Sequence, residues 1–71
     1  MEHKWNKVTL AVAIGLPKWG LVDWEKSGRI PMPTIMCGRS RYYTDEEVEQ
    51  VVASINNYNF WKGKPLVEVP L

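Results

Sequence analysis

The sequence predicts a small α+β domain with two short helices, a β-hairpin and a third helix, in that order. Three observations lead to this prediction. Pro31 and Pro33 interrupt the helical patterns at mid-chain, because an interior proline removes a helical hydrogen bond and clashes with the preceding turn. Gly38 separates two short runs that suit strands, and Thr44 then opens a strongly helical stretch. The 71 residues suffice for one domain with a marginal core.

Two short helices are predicted before the prolines. The run "KVTLAVAIGL" (residues 7–16) favours a helix that ends at Gly15, but it is apolar nearly all round, so a buried strand is the alternative. The second helix spans "PKWGLVDWEKSG" (residues 17–28), with Pro17 in its first turn and Gly28 as its terminator. Gly20 lies inside this helix and should cost about 1 kcal/mol relative to alanine.

A β-hairpin is predicted next. The segment "RIPMPTI" (residues 29–35) is extended, and its prolines favour an edge strand. The turn is "MCG" (residues 36–38), and "RSRYY" (residues 39–43) is the returning strand. Alternate strand residues share a face. We therefore expect one side of the hairpin to carry Arg39, Arg41 and Tyr43, and the other to carry Ser40 and Tyr42.

The third helix, "TDEEVEQVVASI" (residues 44–55), has the clearest signals in the chain. Thr44 and Glu47 are spaced as a capping box. An apolar stripe follows at helical spacing; it consists of Val48, Val51, Val52 and Ile55. The acidic first turn is explained by helix capping and by the helix dipole. We expect the helix to end at Asn56–Asn57.

The predicted domain spans residues 7–57, between an N-terminal arm (residues 1–6) and a C-terminal tail (residues 58–71). The tail is expected to pack on the core or to be partly disordered, and "PLVEVPL" is either a third short strand or disordered. The tail aromatic residues should fold back over the core; they are Tyr58, Phe60 and Trp61. Trp5 and Trp61 are expected to pack against each other or against the core.

Composition excludes several function classes. One cysteine, Cys37, and one histidine, His3, leave no ligand set for zinc and no nucleophile–base pair. We therefore expect no enzyme activity, no cofactor and no small-molecule substrate. The longest apolar run, "LAVAIGL", is far shorter than the roughly 20 residues of a membrane span. The start "MEHKW" is unlike a signal peptide, so we expect a cytoplasmic protein without membrane association.

Charge is unevenly distributed along the chain. Residues 1–43 carry seven lysines and arginines against three acidic residues, whereas residues 44–71 carry two against five. A basic half of this kind is compatible with an anionic partner. Among the basic residues, Arg39 and Arg41 suit phosphate contacts. The alternative is that their positive charge only keeps the exposed edge of the hairpin from pairing with another chain.

The order of elements is that of a helix-turn-helix followed by a hairpin wing. Three blocks strengthen this: Ile14-Gly15-Leu16 at the first turn, "WEKSGRIP" (residues 24–31) and "RYYTDEEV" (residues 41–48). From Lys7 to about Ile55 the chain resembles the winged helix-turn-helix domain of MerR-type regulators and phage excisionase-like proteins. Neither a long dimerisation helix nor an effector domain fits after Ile55, which favours the small excisionase-like relatives.

The resemblance implies roles for individual residues. The second helix would enter the DNA major groove and the wing would touch the backbone or the minor groove, while Leu21, Trp24 and Tyr43 would be core. The implied DNA-binding residues are Lys18, Trp19, Val22, Lys26, Arg39, Ser40 and Arg41. The second helix is poor in side chains that read bases. Contacts led by phosphate would come from Lys18, Lys26, Arg39 and Arg41.

Two functions of different class follow from these residues. The first is a small protein that binds double-stranded DNA, as an excisionase-like architectural factor or a transcription regulator, with a recombinase or a second copy as a further partner. The alternative is a non-catalytic module on the same scaffold that docks a protein through Trp19 and Val22. Trp19 lies about 160° from the inward Leu21 on a helical wheel, so we expect it to be exposed. Lys62 and Lys64 either add phosphate contacts or have no role.

Overall fold

The computed structural model describes residues 5–70 and places three helices and one two-stranded antiparallel sheet there. Helix α1 spans Lys7–Ile14, α2 spans Lys18–Lys26 and α3 spans Asp45–Lys62. Strands β1 (Ile35–Cys37) and β2 (Ser40–Tyr42) form a hairpin between α2 and α3. The α+β class and the order of elements are confirmed. The predictions for His3 and for most of the N-terminal arm lie outside the described residues.

Helix α1 forms as predicted, and the strand alternative for this segment is wrong. The Asn6 side chain accepts a 2.9 Å hydrogen bond from the Thr9 backbone N–H, while the Asn6 N–H donates to Thr9 Oγ1. This reciprocal cap satisfies N–H groups that have no partner inside the helix. Gly15 closes the helix with a φ of 74°, a conformation that glycine adopts without steric cost.

Helix α2 begins one residue later than predicted. Pro17 precedes the first helical residue with an extended backbone (ψ 153°), because a residue in the capping position is not itself helical. Leu21 is fully buried and Trp24 is half-buried, so the predicted inward face is confirmed. Near its end, Glu25 pairs with Lys7 of α1 at 2.9 Å and joins the two helices.

The hairpin is shorter and displaced relative to the prediction. Cys37 pairs with Ser40, so only Gly38 and Arg39 remain for the turn. Gly38 has a φ of 63°, and within residues 5–70 only glycines have a positive φ. A positive φ at its first position is typical of one kind of two-residue hairpin turn. The predictions that residues 29–35 form the first strand and that Arg39 lies in the second are therefore wrong.

The predicted face that joins Arg39, Arg41 and Tyr43 is also wrong, because only Ser40–Tyr42 form β2. Tyr43 follows β2 and is only 3% exposed, whereas Arg41 is exposed, so the two do not share a face. The Tyr43 N–H donates a 2.8 Å hydrogen bond to the Trp5 carbonyl instead of continuing the hairpin. This contact draws the chain inward after β2 and ties the segment before α1 to the start of α3.

Helix α3 starts as predicted but continues past its predicted end at Asn56–Asn57 to Lys62. Thr44 and Glu47 form the capping box. The Asn56 side chain is engaged by the backbone of Val67, so it does not compete for the helix's own backbone groups. The terminator is Gly63, with a φ of 69°.

The C-terminal segment packs along α3 without forming a third strand. The Val67 N–H donates to Asn56 Oδ1 at 2.8 Å, and Asn56 Nδ2 donates to the Val67 carbonyl at 2.9 Å. Val67 and Val69 pack against the core, as does Trp5. The buried core itself comprises Leu10, Ala11, Ile14, Leu21, Ile30, Tyr43, Val48, Val51 and Ile55.

The aromatic residues at the end of α3 do not fold over the core. Phe60 and Trp61 are 69% and 77% exposed, and their rings meet edge to face. Tyr58 instead packs edge to face on Trp24 at 5.5 Å between ring centroids. The predicted packing of Trp61 against Trp5 or the core is therefore wrong. Among residues 5–70, no helix is both long and apolar enough to cross a membrane.

Candidate nucleic-acid interface

The exposed face of α2 carries three of the predicted contact residues. Trp19 is 70% exposed, as expected from its position opposite Leu21. Lys18 and Lys26 are exposed as well, one at each end of the helix. Val22 was expected outward but is partly covered, so its side chain offers less contact area than predicted. The face therefore presents one large ring between two cations.

The hairpin carries the other three predicted residues. Arg39 occupies the turn, and Ser40 and Arg41 begin the exposed strand β2. Neither arginine forms an ion pair within residues 5–70. The neighbour of Arg41 on β1 is Met36, which is 60% exposed, so the hairpin projects away from the core. Two unpaired guanidinium groups at the tip of a hairpin are suited to bidentate contacts with phosphate.

Glu47 anchors the base of the hairpin to α3. Its carboxylate accepts hydrogen bonds from the Thr44 N–H at 2.8 Å and from the Thr34 N–H at 3.3 Å. Burial would raise the pKa of Glu47, but these hydrogen bonds stabilise the charged form and the net effect is a lowered pKa. Thr34 immediately precedes β1 and Thr44 lies two residues after β2. One carboxylate therefore fixes both ends of the hairpin.

Tyr43 provides a second anchor at the same place. Its ring lies in the core, and its hydroxyl is buried without a hydrogen-bond partner among residues 5–70. Burial raises the pKa of Tyr43 to about 12, with smaller contributions from the negative charges of Glu25 and Glu47. The residue is neutral at physiological pH and acts through packing. The prediction that Tyr43 is core beneath the wing is confirmed.

The structure brings the predicted residues together in two sets, one per element. The α2 set is Lys18, Trp19, Val22 and Lys26, and the hairpin set is Arg39, Ser40 and Arg41. Each element is fixed to the common core, α2 through Leu21 and the hairpin through Tyr43. Such an arrangement can neutralise phosphates at the hairpin and add a ring contact at α2.

A third group of basic and aromatic residues was largely missed from the sequence. Lys62 and Lys64 lie over the Tyr58 ring at 5.8 and 5.5 Å, and Arg29 lies over the Trp24 ring at 5.3 Å. Such cation–ring contacts place positive charge at defined positions. The sequence signal that could have revealed this group was Gly63, a helix terminator seven residues beyond Asn56. A prediction that extended α3 to Gly63 would have placed Tyr58 and Lys62 on the helix.

Within residues 5–70, no cluster of three or more His, Cys, Asp or Glu side chains could hold a metal ion. Cys37 is exposed in β1, beside the turn. The three acidic residues in the first turn of α3 lie where the helix dipole favours negative charge, and Glu47 is engaged in capping.

No protein-family model matches this chain, and no curated protein or solved structure matches it either.

Proposed function

We propose that this protein binds double-stranded DNA, with α2 in the major groove and the hairpin as a wing on the backbone or in the minor groove. The observation that carries the proposal is the pair Arg39 and Arg41, exposed at the tip of an anchored hairpin and without ion pairs in the described chain. Anchoring by Glu47 and Tyr43 supports this use, because an anchored hairpin loses less backbone entropy on binding than a mobile one.

The order of elements supports a winged helix-turn-helix of the MerR and excisionase-like type. Helices α1 and α2 are joined by a tight turn at Gly15, and the hairpin follows α2 directly. In this proposal α2 contributes Lys18, Trp19 and Lys26, and the hairpin contributes Arg39, Ser40 and Arg41. Binding is led by phosphate contacts and DNA shape, because the exposed face of α2 offers few donors that read bases.

The proposed role is architectural or regulatory, without a catalytic step or a cofactor. It is that of an excisionase-like factor or a transcription regulator in the cytoplasm of a bacterial host. A recombinase or a second copy of the chain would be a further partner on the same DNA. The alternative is protein docking through Trp19 and Val22. Val22 is partly covered and offers little contact area, so it gives this alternative limited support.

The test is fluorescence anisotropy of a labelled DNA duplex titrated with the protein at about 50 mM salt, where phosphate contacts are strongest. The Arg39→Ala/Arg41→Ala variant should bind about tenfold more weakly or worse. Both side chains are exposed, so the variant should fold. The matched control is Lys62→Ala/Lys64→Ala, which removes two charges from the end of α3 and should weaken binding much less. Equal loss in both variants would contradict the assignment to the hairpin.

A further inference from the structure

We propose that a groove beside α2 binds an acidic segment of a protein partner by enclosing one bulky apolar side chain. The groove lies between the α1–α2 turn, the first turn of α2 and the C-terminal half of α3. We call it the Gly20 groove, and its lining includes Leu16, Pro17, Trp19, Gly20, Tyr58 and Lys64. Its volume is about 380 Å³, within the range of ligand-binding pockets. Neither Arg39 nor Arg41 lines it.

The lining determines what the groove can enclose. Aliphatic side chains form much of its wall, among them Ile14, Leu16 and Ile55. The rings of Trp24 and Tyr58, which meet edge to face, also line the groove. Ile14 and Ile55 are buried, whereas the exposed apolar lining includes Pro17, Trp19 and Tyr58. An aromatic or branched side chain in the groove would cover this exposed apolar surface.

Gly20 is the second observation that points to an occupant. Its φ is not in the positive range, so the backbone does not require glycine there. A Cβ added to it would lie 3.7 Å from the Pro17 ring and 4.0 Å from Leu16 Cβ, which is ordinary contact. Glycine inside a helix is nevertheless destabilising relative to alanine. A side chain at position 20 would occupy the groove, and glycine keeps that space open.

Charge identifies the kind of segment that fits. Lys64 lines the groove, and a neighbouring hollow that shares Trp24 and Tyr58 is lined by Arg29 and Lys62. No Asp or Glu lines either hollow, and none of these three cations forms an ion pair within residues 5–70. Because this positive charge has no counter-charge nearby, it favours a ligand that carries carboxylates. The same attraction increases the rate at which such a ligand associates with the protein.

A nucleic acid is the competing anionic ligand, and the shape of the groove disfavours it. Single strands bind by stacking successive bases on open aromatic faces along a basic track. In the Gly20 groove the rings of Trp24 and Tyr58 pack on each other edge to face, and most of the other lining side chains are not aromatic. A half-open, mostly apolar groove with a basic rim is better matched by a protein segment.

The experiment is a titration of the ¹⁵N-labelled full chain followed by amide chemical shifts. The probe is a synthetic octapeptide, Glu-Glu-Glu-Trp-Leu-Glu-Glu-Glu, raised to about 1 mM so that weak binding is visible. We expect the largest shifts at groove residues such as Gly20, Tyr58 and Lys64, and small shifts at the hairpin. A peptide with alanine in place of Trp and Leu should bind at least about tenfold more weakly, because the anchor is lost.

Two kinds of variant test the groove itself, one that fills it and one that reverses the charge of its rim. Gly20→Leu fills it and should abolish the shifts caused by the peptide, while Gly20→Ala narrows it and should weaken binding. Lys62→Glu/Lys64→Glu keeps the groove open but reverses the charge of its rim, and it should weaken binding about tenfold or more. This second variant changes exposed side chains only, so it keeps the test intact if Gly20→Leu does not fold.

Five results would overturn the proposal, and four of them come from the titrations. They are the absence of shifts with the peptide at about 1 mM, equal binding of the alanine peptide, unchanged binding by Gly20→Leu, and groove shifts caused by an oligothymidine in place of the peptide. The fifth is a change in the amide chemical shifts of groove residues when the protein alone is diluted. This change would assign the groove to a second copy of the chain and would also overturn the proposal. Arg39→Ala/Arg41→Ala should keep peptide binding, so failure of the DNA proposal is distinguishable from failure of this one.

Discussion

Glu47 shows how one side chain can link three segments of a small protein. Its lowered pKa means that its contribution to stability is fully present above the unfolded pKa of 4.5 and is lost as the pH falls through the folded pKa. We expect Glu47→Gln to lower the free energy of unfolding at pH 7 by about 1 kcal/mol, because a charged cap becomes neutral. Urea unfolding from pH 7 to pH 3 would measure this.

The difference between the wild type and Glu47→Gln should begin to shrink below pH 4.5, where Glu47 of the unfolded chain gains a proton, and should vanish once the pH has fallen through the lowered pKa of the folded state. Glu46→Gln is the matched control, since Glu46 lies in the same first turn of α3 but is exposed. A difference that persists undiminished at pH 3 would show that the hydrogen bonds to Thr34 and Thr44 are not the source of the effect.

For Tyr43 we expect the opposite pH dependence, with stability lost at alkaline rather than acidic pH. Its pKa is raised to about 12, so the neutral form is favoured by folding, and the stability it contributes is complete below pH 10 and lost as the pH rises toward 12. We expect Tyr43→Phe to match or slightly exceed wild-type stability at pH 7, because the buried hydroxyl has no partner among residues 5–70. Thermal unfolding between pH 7 and pH 11 would measure both effects.

Above pH 10 the wild type should lose stability relative to Tyr43→Phe. The exposed Tyr58 supplies the control, since Tyr58→Phe removes a hydroxyl of the same type from the surface. A large loss of stability for Tyr43→Phe at pH 7 would mean that the hydroxyl is hydrogen-bonded, which would contradict the interpretation of this residue as a purely packed core ring.

At the scale of elements, the Asn56 side chain links α3 to the C-terminal segment. It makes two hydrogen bonds to the backbone of Val67, each worth about 0.5–1.5 kcal/mol net. We expect Asn56→Ala to destabilise the protein by about 1–2 kcal/mol and to remove the protection of the Val67 amide from hydrogen exchange. Urea unfolding and amide exchange would measure the two effects.

Asn57→Ala is the control for this prediction. Asn57 is exposed beside Asn56 on the same helix, and alanine has the higher helix propensity, so this change should be neutral or slightly stabilising. If both variants were equally stable, the C-terminal segment would not depend on Asn56 for its position along α3.

The start of α3 and the end of α1 could be predicted from the sequence better than the end of α3. Thr44 and Glu47 define a cap through a local pattern of two residues, and Gly15 defines a stop through its own conformational freedom. At the end of α3 the sequence holds two competing local signals, the pair Asn56–Asn57 and the more distant Gly63. The helix continues to Gly63, and the Asn56 side chain instead bonds a residue eleven positions away, a contact that no local pattern indicates.

The hairpin shows a similar division between local and long-range information. Its existence follows from Gly38 and the prolines before it, which are local signals. Its register follows from the pairing of Cys37 with Ser40 and from the hydrogen bond between Tyr43 and Trp5, which joins segments far apart in the chain. The sequence therefore predicted the basic tip but placed Arg39 in a strand rather than in the turn.

At the scale of the whole molecule, the exposure of Arg39 and Arg41 could be predicted, whereas the Gly20 groove could not. Arg39 stands next to the turn glycine Gly38 and Arg41 lies two residues further on, and both are exposed. The groove requires α3 to reach Lys62 and the C-terminal segment to fold back, which together bring Tyr58 and Lys64 beside Gly20. Its signs in the sequence were Gly20 itself and the helix terminator Gly63.

The two proposed surfaces use different basic residues. The hairpin holds Arg39 and Arg41, while the Gly20 groove and the hollow beside it hold Arg29, Lys62 and Lys64. Trp19 stands on the exposed face of α2 and also at the lip of the groove. A protein partner in the groove could therefore lie close to DNA held by α2, so that binding of one affects binding of the other.

The salt dependence of DNA binding tests the central claim most directly. Affinity for a labelled duplex is measured at several salt concentrations between about 50 and 200 mM, for the wild type and for Arg39→Ala/Arg41→Ala. The predicted result is a steep fall in wild-type affinity with salt, and a logarithmic slope smaller by about 2 in the variant, one unit for each lost phosphate contact. The same slope in both proteins, or no binding to any duplex at the lowest salt, would contradict the claim that this hairpin is a DNA-binding wing.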